Sequence, residues 1–366
     1  MSTSVLELRL FTPAGVEFAR VSDFEWVGCT TRVNAPGFLQ CQLKGDHTVL
    51  SALEHRGLVE LWRKDSAYGV DWYRHFSGLY LDQDRSLFEV PTAVMRAWGD
   101  LVMLKRRVVN WPAGTLNRAK FVSDPAETIM KLLVQYNCTS SATTANGRKR
   151  AGTNWPGSVV SVATDAAGGN TLSWYCHGDN LLETLQELQL GAGGDFDLVK
   201  TGASAWEFRF YPGRLGADQT GRVTFALKHD NLGDPRWRFD RSGEGTVACV
   251  WGQGEGSERD YATRTGPDYD ADNDIEFYVA ATEVDFGDTD GLNAKGDVAL
   301  EEKRARAVSS FKALTNEGTV YRRDFNLGDM VKAVNPFTGE VTTPQVVAIH
   351  LGLDQNGEEV VEPELR

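Results

Sequence analysis

Leu6, Leu8 and Leu10 alternate with Glu7 and Arg9 at the start of the chain, the period-two pattern of a strand with one buried face. Phe24 to Trp26, Leu58 to Trp62 and Leu87 to Met95 continue it between Pro, Gly and Asp punctuation, which predicts a β-barrel or sandwich over residues 1–105. The pattern breaks at Asn110-Trp111-Pro112-Ala113-Gly114. A helix start follows, with Asp124 as N-cap, Pro125 at the first helical position and Glu127 near capping-box spacing. Its predicted buried stripe is Ile129, Leu132, Leu133 and Tyr136. Residues 139–170, rich in Ser, Thr, Ala and Gly and carrying Arg148-Lys149-Arg150, predict exposed loops around one or two weak strands.

A second helix is predicted from Asn180 to about Leu190, with Asn180 and Glu183 at capping-box spacing, Leu181, Leu185 and Leu188 on one face, and Gly191 as its stop. Phe196 to Lys200 and Trp206 to Tyr211 then alternate as strands, giving a helix on a small sheet. Strands at 222–227 and 245–251 and an acidic loop from Asp268 to Asp274 precede a third helix, predicted from Val298 to about Leu314 after Asp297. There Glu302 stands four residues before Arg306. Strands at 319–323, 330–335, 341–353 and 360–365 close the chain. The fold expected is mainly β with α+β modules: a first β-barrel (1–105), a helix-containing α+β module (106–175), a second α+β module (176–240), and a loop, helix and final β-barrel (241–366).

Composition places the 366 residues in the globular class, at 41% hydrophobic and 24% charged, with length enough for several domains. No apolar run approaches the roughly 18 to 20 residues of a membrane helix, and the first ten residues lack the pattern of a secretory signal. Synthesis in a cytosol is expected. The five cysteines (Cys29, Cys41, Cys138, Cys176, Cys249) are scattered and form no C-x-x-C pair; burial as small apolar residues is expected. The net charge of −13 is concentrated. Residues 1–110 and 111–240 each balance at 13 basic and 13 acidic, whereas residues 241–366 hold 12 basic and 25 acidic. Such a surface repels nucleic acid, and no basic patch is evident elsewhere.

Motifs for hydrolases and nucleotide phosphates are absent. Gly252-Gln253-Gly254-Glu255-Gly256 follows a strand, but G-x-G-x-G with no helix after it lacks the helix N-terminus that a dinucleotide needs. Close approach of another backbone is the expected use of these glycines. Cys176 and His177 point to opposite faces of a strand, and Asp179 with Asn180 is better used at a helix start. Asp268, Asp270, Asp272 and Asp274 mimic a calcium loop, yet Asn273 and Val279 stand where its Gly and Glu belong. A solvated acidic loop is expected. No cofactor, metal or catalytic residue is expected.

Between residues 172 and 259 the order of features becomes specific: Asn180 to Leu185, Gly194-Asp195-Phe196-Asp197-Leu198, Trp206 to Phe210, Gly213 to Thr220, Asn231-Leu232, and Val247 to Gly256. With Trp72 to Gly78 before them and Tyr321, Asp324-Phe325, Leu327-Gly328-Asp329 and Val331 after, this resembles the tail hub or tail-associated minor tail proteins of long-tailed, siphovirus-type phages. The resemblance implies a homotrimer whose first and last β-barrels form a pseudo-sixfold ring at the virion tail tip. Its implied neighbours are the distal tail protein, the tail tube or tape measure protein, and tip or fibre proteins, with DNA passing without specific binding. It also marks Asp324, Leu327, Gly328 and Asp329 as the final-barrel motif. The glycine spacing suggests that Trp251, Gly252, Gln253, Gly254, Glu255 and Gly256 form the trimer contact. Relatives often carry a C-terminal peptidase or fibre extension, and this sequence stops at Arg366, so a structural rather than enzymatic role is expected. The alternatives are a cell-wall-degrading lysin, which needs two carboxylates in one cleft, and a carbohydrate-binding adhesin, suggested by ten tryptophans. Trp26, Trp62, Trp98 and Trp206 fall in strand patterns and are expected to pack in cores.

Overall fold

A computed structural model describes residues 4–87, 91–113, 118–152, 159–314, 318–353 and 357–366. The chain is mostly β, 44% strand against 17% helix. The first segment supplies β1 (Ser4–Phe11), β2 (Glu17–Val21), β3 (Trp26–Arg32), β4 (Phe38–Lys44), β5 (Leu58–Asp65), β6 (Val70–Ser86) and β7 (Thr92–Gly99), followed by the short α1 (Val102–Lys105). The middle holds β8 (Ala119–Pro125), α2 (Ala126–Cys138), β9 (Val159–Val162), β10 (Thr171–Cys176), α3 (Leu181–Ala192), β11 (Gly194–Lys200), β12 (Ala205–Pro212) and β13 (Thr224–Phe225). Then come β14 (Leu232–Asp240), β15 (Val247–Trp251), β16 (Tyr261–Thr265), β17 (Glu276–Ala280), α4 (Thr289–Lys303), β18 (Arg306–Ala313), β19 (Lys332–Val334), β20 (Val341–Thr342), β21 (Val346–Leu353) and β22 (Glu359–Leu365).

One antiparallel sheet of eleven strands, ordered β14-β18-β22-β21-β3-β4-β7-β6-β5-β1-β2, joins the two ends of the chain. Leu8, Leu10, Leu39 and Met95 share one core with Phe311, Val346, Ile349 and Val361. The sheet is curled. Strands β5 and β22 lie six places apart, about 29 Å in a flat sheet at 4.8 Å per strand, yet Arg63 on β5 reaches Glu359 on β22 at 2.6 and 2.7 Å. Residues 1–105 and 241–366 therefore contribute to the same sheet, and β14 joins it from before residue 241.

Three smaller sheets, β10-β8, β11-β12-β9 and β16-β15-β17, carry α2, α3 and α4. Trp174, Phe196, Trp206, Phe208 and the leucines of α3 fill a second core. The alternation at 206–211 is realised, with Trp206, Phe208 and Phe210 buried. Asn180 caps α3 as expected, accepting from the Leu182 and Glu183 amides.

Other local expectations are corrected. Helix α2 is capped by Pro125, whose extended backbone still pairs with Thr171. Asp124 accepts instead from the Val122 amide. The buried face of α2 includes Met130 and Val134, while Leu132 and Tyr136 are half-buried. Helix α3 runs through Gly191 and stops at Gly193, in the left-handed region at φ 64°. The third helix covers 289–303, and 306–313 is strand; two glycines hid its first part, since each lowers helix propensity by about 1 kcal/mol. Both are used for packing: a Cβ on Gly291 would stand 2.8 Å from Tyr175 and Val284, and one on Gly296 2.6 Å from Arg264. No strand forms at 319–323, and 222–227 reduces to β13. The strand expected from Leu87 begins at Thr92, and residues 88–90 lie outside those described, as does Gly114. Trp26 is exposed rather than packed, and Cys249 is half-buried where the other four cysteines are buried.

Candidate functional site

The chain's modules meet at one carboxylate. Asp195, at the start of β11, is buried. Its Oδ1 accepts from Asn34 Nδ2 at 2.7 Å and Gln189 Nε2 at 3.4 Å, and its Oδ2 from the Leu215 amide at 2.7 Å and Gln345 Nε2 at 2.9 Å. These donors come from the β3–β4 turn, α3, the loop after β12 and the residue before β21. A buried acceptor left unpaired is costly, and with all four donors in place Asp195 ties four regions together at a point. Asn34, at φ 58°, adds a bond from the Phe196 amide to its Oδ1 and one from Gln186 Nε2 to its carbonyl. Sequence reasoning quoted Asp195 only within a run of residues, because its partners lie far away along the chain.

The motif residues Asp324, Leu327, Gly328 and Asp329 abut this junction. Asp329 is 2% exposed; its Oδ1 accepts from the Ala217 amide and its Oδ2 from the Asn326 amide. Asp324 accepts from the Val320 amide and pairs with Arg323. Leu327 packs on the large core. Gly328, at φ 88°, donates its amide to Val346 and offers its carbonyl to Gln345 Nε2. The motif fastens the 215–217 loop onto the last strands.

A second buried constellation spans the curled sheet. Arg63, 2% exposed, grips Glu359 in a bidentate pair, adds Asp65 at 3.1 Å, and lies 6.0 Å from the Tyr321 ring. Burial opposes its charge, but Glu359 outweighs burial and raises the guanidinium pKa. Burial, aided by Arg63 and Arg322, depresses His75 to about 3.

The glycine loop folds back on its own hairpin. Gly252 donates to the Asp260 carbonyl, Asp260 to that of Gln253, and Gln253 Nε2 to that of Val284 at 2.8 Å. Gly254, at φ 101°, would place a Cβ 2.6 Å from the Glu258 carbonyl oxygen. Gly256 faces open space, and Glu255 beside it is exposed. A three-residue 3-10 turn and then β16 follow, which is no pyrophosphate site. Trp251 stacks obliquely on Tyr261.

Catalytic geometry is not assembled at Cys176-His177: burial pushes the Cys176 thiol up to about 12, and His177 is exposed. In the acidic loop Asp268 pairs with Arg304 at 2.9 Å, and Asp270 accepts from the Asp272 amide. Among the described residues no three His, Cys, Asp or Glu side chains converge as metal ligands. No helix among them is long and apolar enough to cross a membrane.

The family model for siphovirus ReqiPepy6 Gp37-like proteins matches residues 7–365. The chain belongs to this family. No curated protein matches the sequence. Solved structures share its fold along nearly its whole length. The 43 kDa tail protein of prophage MuSo2 from Shewanella oneidensis has a TM-score of 0.59 at 13% identity, covering 99% of this chain and 98% of that one. Prophage tail protein gp18 from Listeria monocytogenes EGD-e gives 0.54 at 12% identity, covering 99% and 94%. A tail protein from Neisseria meningitidis MC58 gives 0.55 at 9% identity, covering 99% and 96%. The chain is thus a member of a siphovirus protein family whose fold is shared with phage and prophage tail proteins.

Proposed function

We propose that this protein is the hub of the tail tip, three copies forming a ring that joins the tail tube and distal tail protein to the tip. The reading rests chiefly on the eleven-stranded curled sheet, in which strands from both ends of the chain build one body that presents two sheet edges, β14 and β2. Such a body suits a ring, because each protomer contributes a β wall while the helical modules hang from the Asp195 junction. The role is structural and non-catalytic. The surplus acid of residues 241–366 supports passage of DNA during ejection, since like charge over a Debye length of about 8 Å keeps a polyanion centred and mobile. The interface of such a ring is expected to bury at least about 2,000 Å². Light scattering of the purified chain, with electron microscopy of the same sample, tests the reading: a mass three times the monomer's and ring-shaped particles are expected. A strictly monomeric protein at high concentration overturns it.

A further inference from the structure

The fold gathers a basic face that the sequence disperses. Arg56, the Lys105–Arg107 run and the Arg148–Arg150 run meet at the N-terminal end of α3. The Arg107 carbonyl accepts from the Leu181 amide and the Lys105 carbonyl from Asn180 Nδ2. Lys149 N donates to the Asn110 carbonyl and Arg148 Nη2 to that of Val108, which zips the two runs together. Burial and then the charges of Arg56 and Arg107 lower the Arg106 pKa; burial and then Arg107 and Arg150 lower that of Arg148. Among the described residues Arg56, Lys105, Arg107, Arg148, Lys149 and Arg150 make no ion pair with a carboxylate. The Arg107 Nε is buried without a partner. Glu183 stands in the first turn of α3, Asp179 lies just ahead of its Asn180 cap, and Glu54 is two residues from Arg56. Contrary to the sequence expectation, this acidic protein carries a basic face, on which Lys105, Arg106, Lys149 and Arg150 are exposed.

The matching feature lies at the other end of the same helical layer. Helices α3 and α4 pack side by side, with Gly191 of α3 close to Val298 of α4, and Tyr175, on β10 ahead of α3, lies against Gly291 in the first turn of α4. Beyond the C-terminus of α4, Arg304 holds Asp268, and there Asp270, Asp272 and Asp274 stand exposed beside the exposed Tyr269 and Ile275. Fifteen residues of α4 span about 22 Å, so basic face and acidic loop point to opposite ends and cannot meet within one copy. Head-to-tail packing brings them together, and a heterologous contact of this kind closes into a ring when the rotation allows.

We propose that the basic face docks on the 268–274 acidic loop of a second copy of this chain, a contact that rests on the ring reading above. Exposed Val108 and half-buried Trp111, stacked on Tyr136 at 4.4 Å, supply apolar area to meet Tyr269 and Ile275. Nucleic acid is the competing ligand for such a face, and the paired acidic loop on the same chain favours self-contact.

The test uses the full chain in light scattering from about 0.1 to about 1 M salt, over which the Debye length falls from about 10 to about 3 Å. R106E/K149E/R150E and D270K/D272K/D274K are each expected to weaken association at low salt by about tenfold or more, and all six changes in one chain to restore it. That rescue also shows that each set folds. If both single sets associate like the parent, the contact is wrong and the ring reading stands. If only the basic set weakens association and the parent binds a short DNA duplex through the same residues, the face is a nucleic-acid site and the proposal falls. A parent that is monomeric at every concentration overturns the contact and the ring together.

Discussion

Gly216 and Gly328 lie against each other's backbone, both at positive φ. A Cβ on Gly216 would stand 2.4 Å from the Gly328 carbonyl carbon, and one on Gly328 2.4 Å from the Leu215 carbonyl oxygen. Contacts this close admit only hydrogen on either Cα. The pair sets the depth at which the loop after β12 seats on the last strands, and so the reach of Asp195 and Asp329 to the Leu215 and Ala217 amides.

Gly216→Ala and Gly328→Ala are each expected to destabilise the protein by about 2–3 kcal/mol, the left-handed backbone costing 1–2 kcal/mol and the displaced loop the rest. Because both act on one contact, the double variant should lose less than the sum of the two. Chemical denaturation of the three variants measures this, and full additivity would show the sites to be independent.

Arg63 and Glu359 predict a different signature. Removing one partner strands a buried charge, a loss of about 3–5 kcal/mol, whereas replacing both by apolar residues is often close to neutral. Arg63→Met should therefore be worse than Arg63→Met with Glu359→Leu, although the double variant still loses the bond to buried Asp65 at 3.1 Å and should stay below the parent. Equal losses would mean that the pair is solvated and the sheet ends are held elsewhere.

How far these features were legible follows from the distance over which each is determined. The Asn180 cap and the 206–211 alternation are set within a few residues, and both stand as read. The first part of helix α4, 289–297, escaped because Gly291 and Gly296, poor helix formers, are selected by Tyr175, Val284, Arg264 and Val250 across the interface, while its end at 298–303 overlaps the helix expected there. The Asp195 junction and the basic face escaped for the same reason: Asn34, Leu215 and Gln345, like the cation runs at 105–107 and 148–150, become neighbours only through the tertiary fold.

Asp100 and His75 line the same cavity of about 200 Å³ and should oppose each other in pH dependence. Burial, partly offset by Lys200, raises Asp100 to about 6, so between about pH 4 and 6 the unfolded state ionises first and stability falls as pH rises. His75, depressed to about 3, is neutral in the folded state while the unfolded state stays protonated up to about pH 6.5, so its contribution rises with pH over the same window. The two slopes largely cancel. Asp100→Asn should remove the falling slope, leave a rise between pH 4 and 6, and stabilise the protein above pH 6 by up to about 3 kcal/mol, at about 1.4 kcal/mol per pKa unit. Unfolding curves at stepped pH decide it; an unchanged slope would mean that Asp100 is ionised throughout.

The glycine loop separates folding from assembly by position. Gly254 is committed within the chain, its missing Cβ filled by the Glu258 carbonyl, so Gly254→Val should cost about 2–3 kcal/mol of stability whether or not copies associate. Glu255 and Gly256 form the exposed tip with open space beyond, and the ring reading gives this tip to the neighbouring copy. Glu255→Arg is a surface change expected to move stability by no more than about 0.5 kcal/mol. If the tip meets the partner, it should nevertheless reduce the trimeric fraction near the dissociation midpoint. Thermal unfolding and sedimentation on both variants make the comparison. Loss of stability at Gly254 with unaltered association at Glu255 would confine the loop to a role inside the protomer, and the ring would have to be closed through other surfaces.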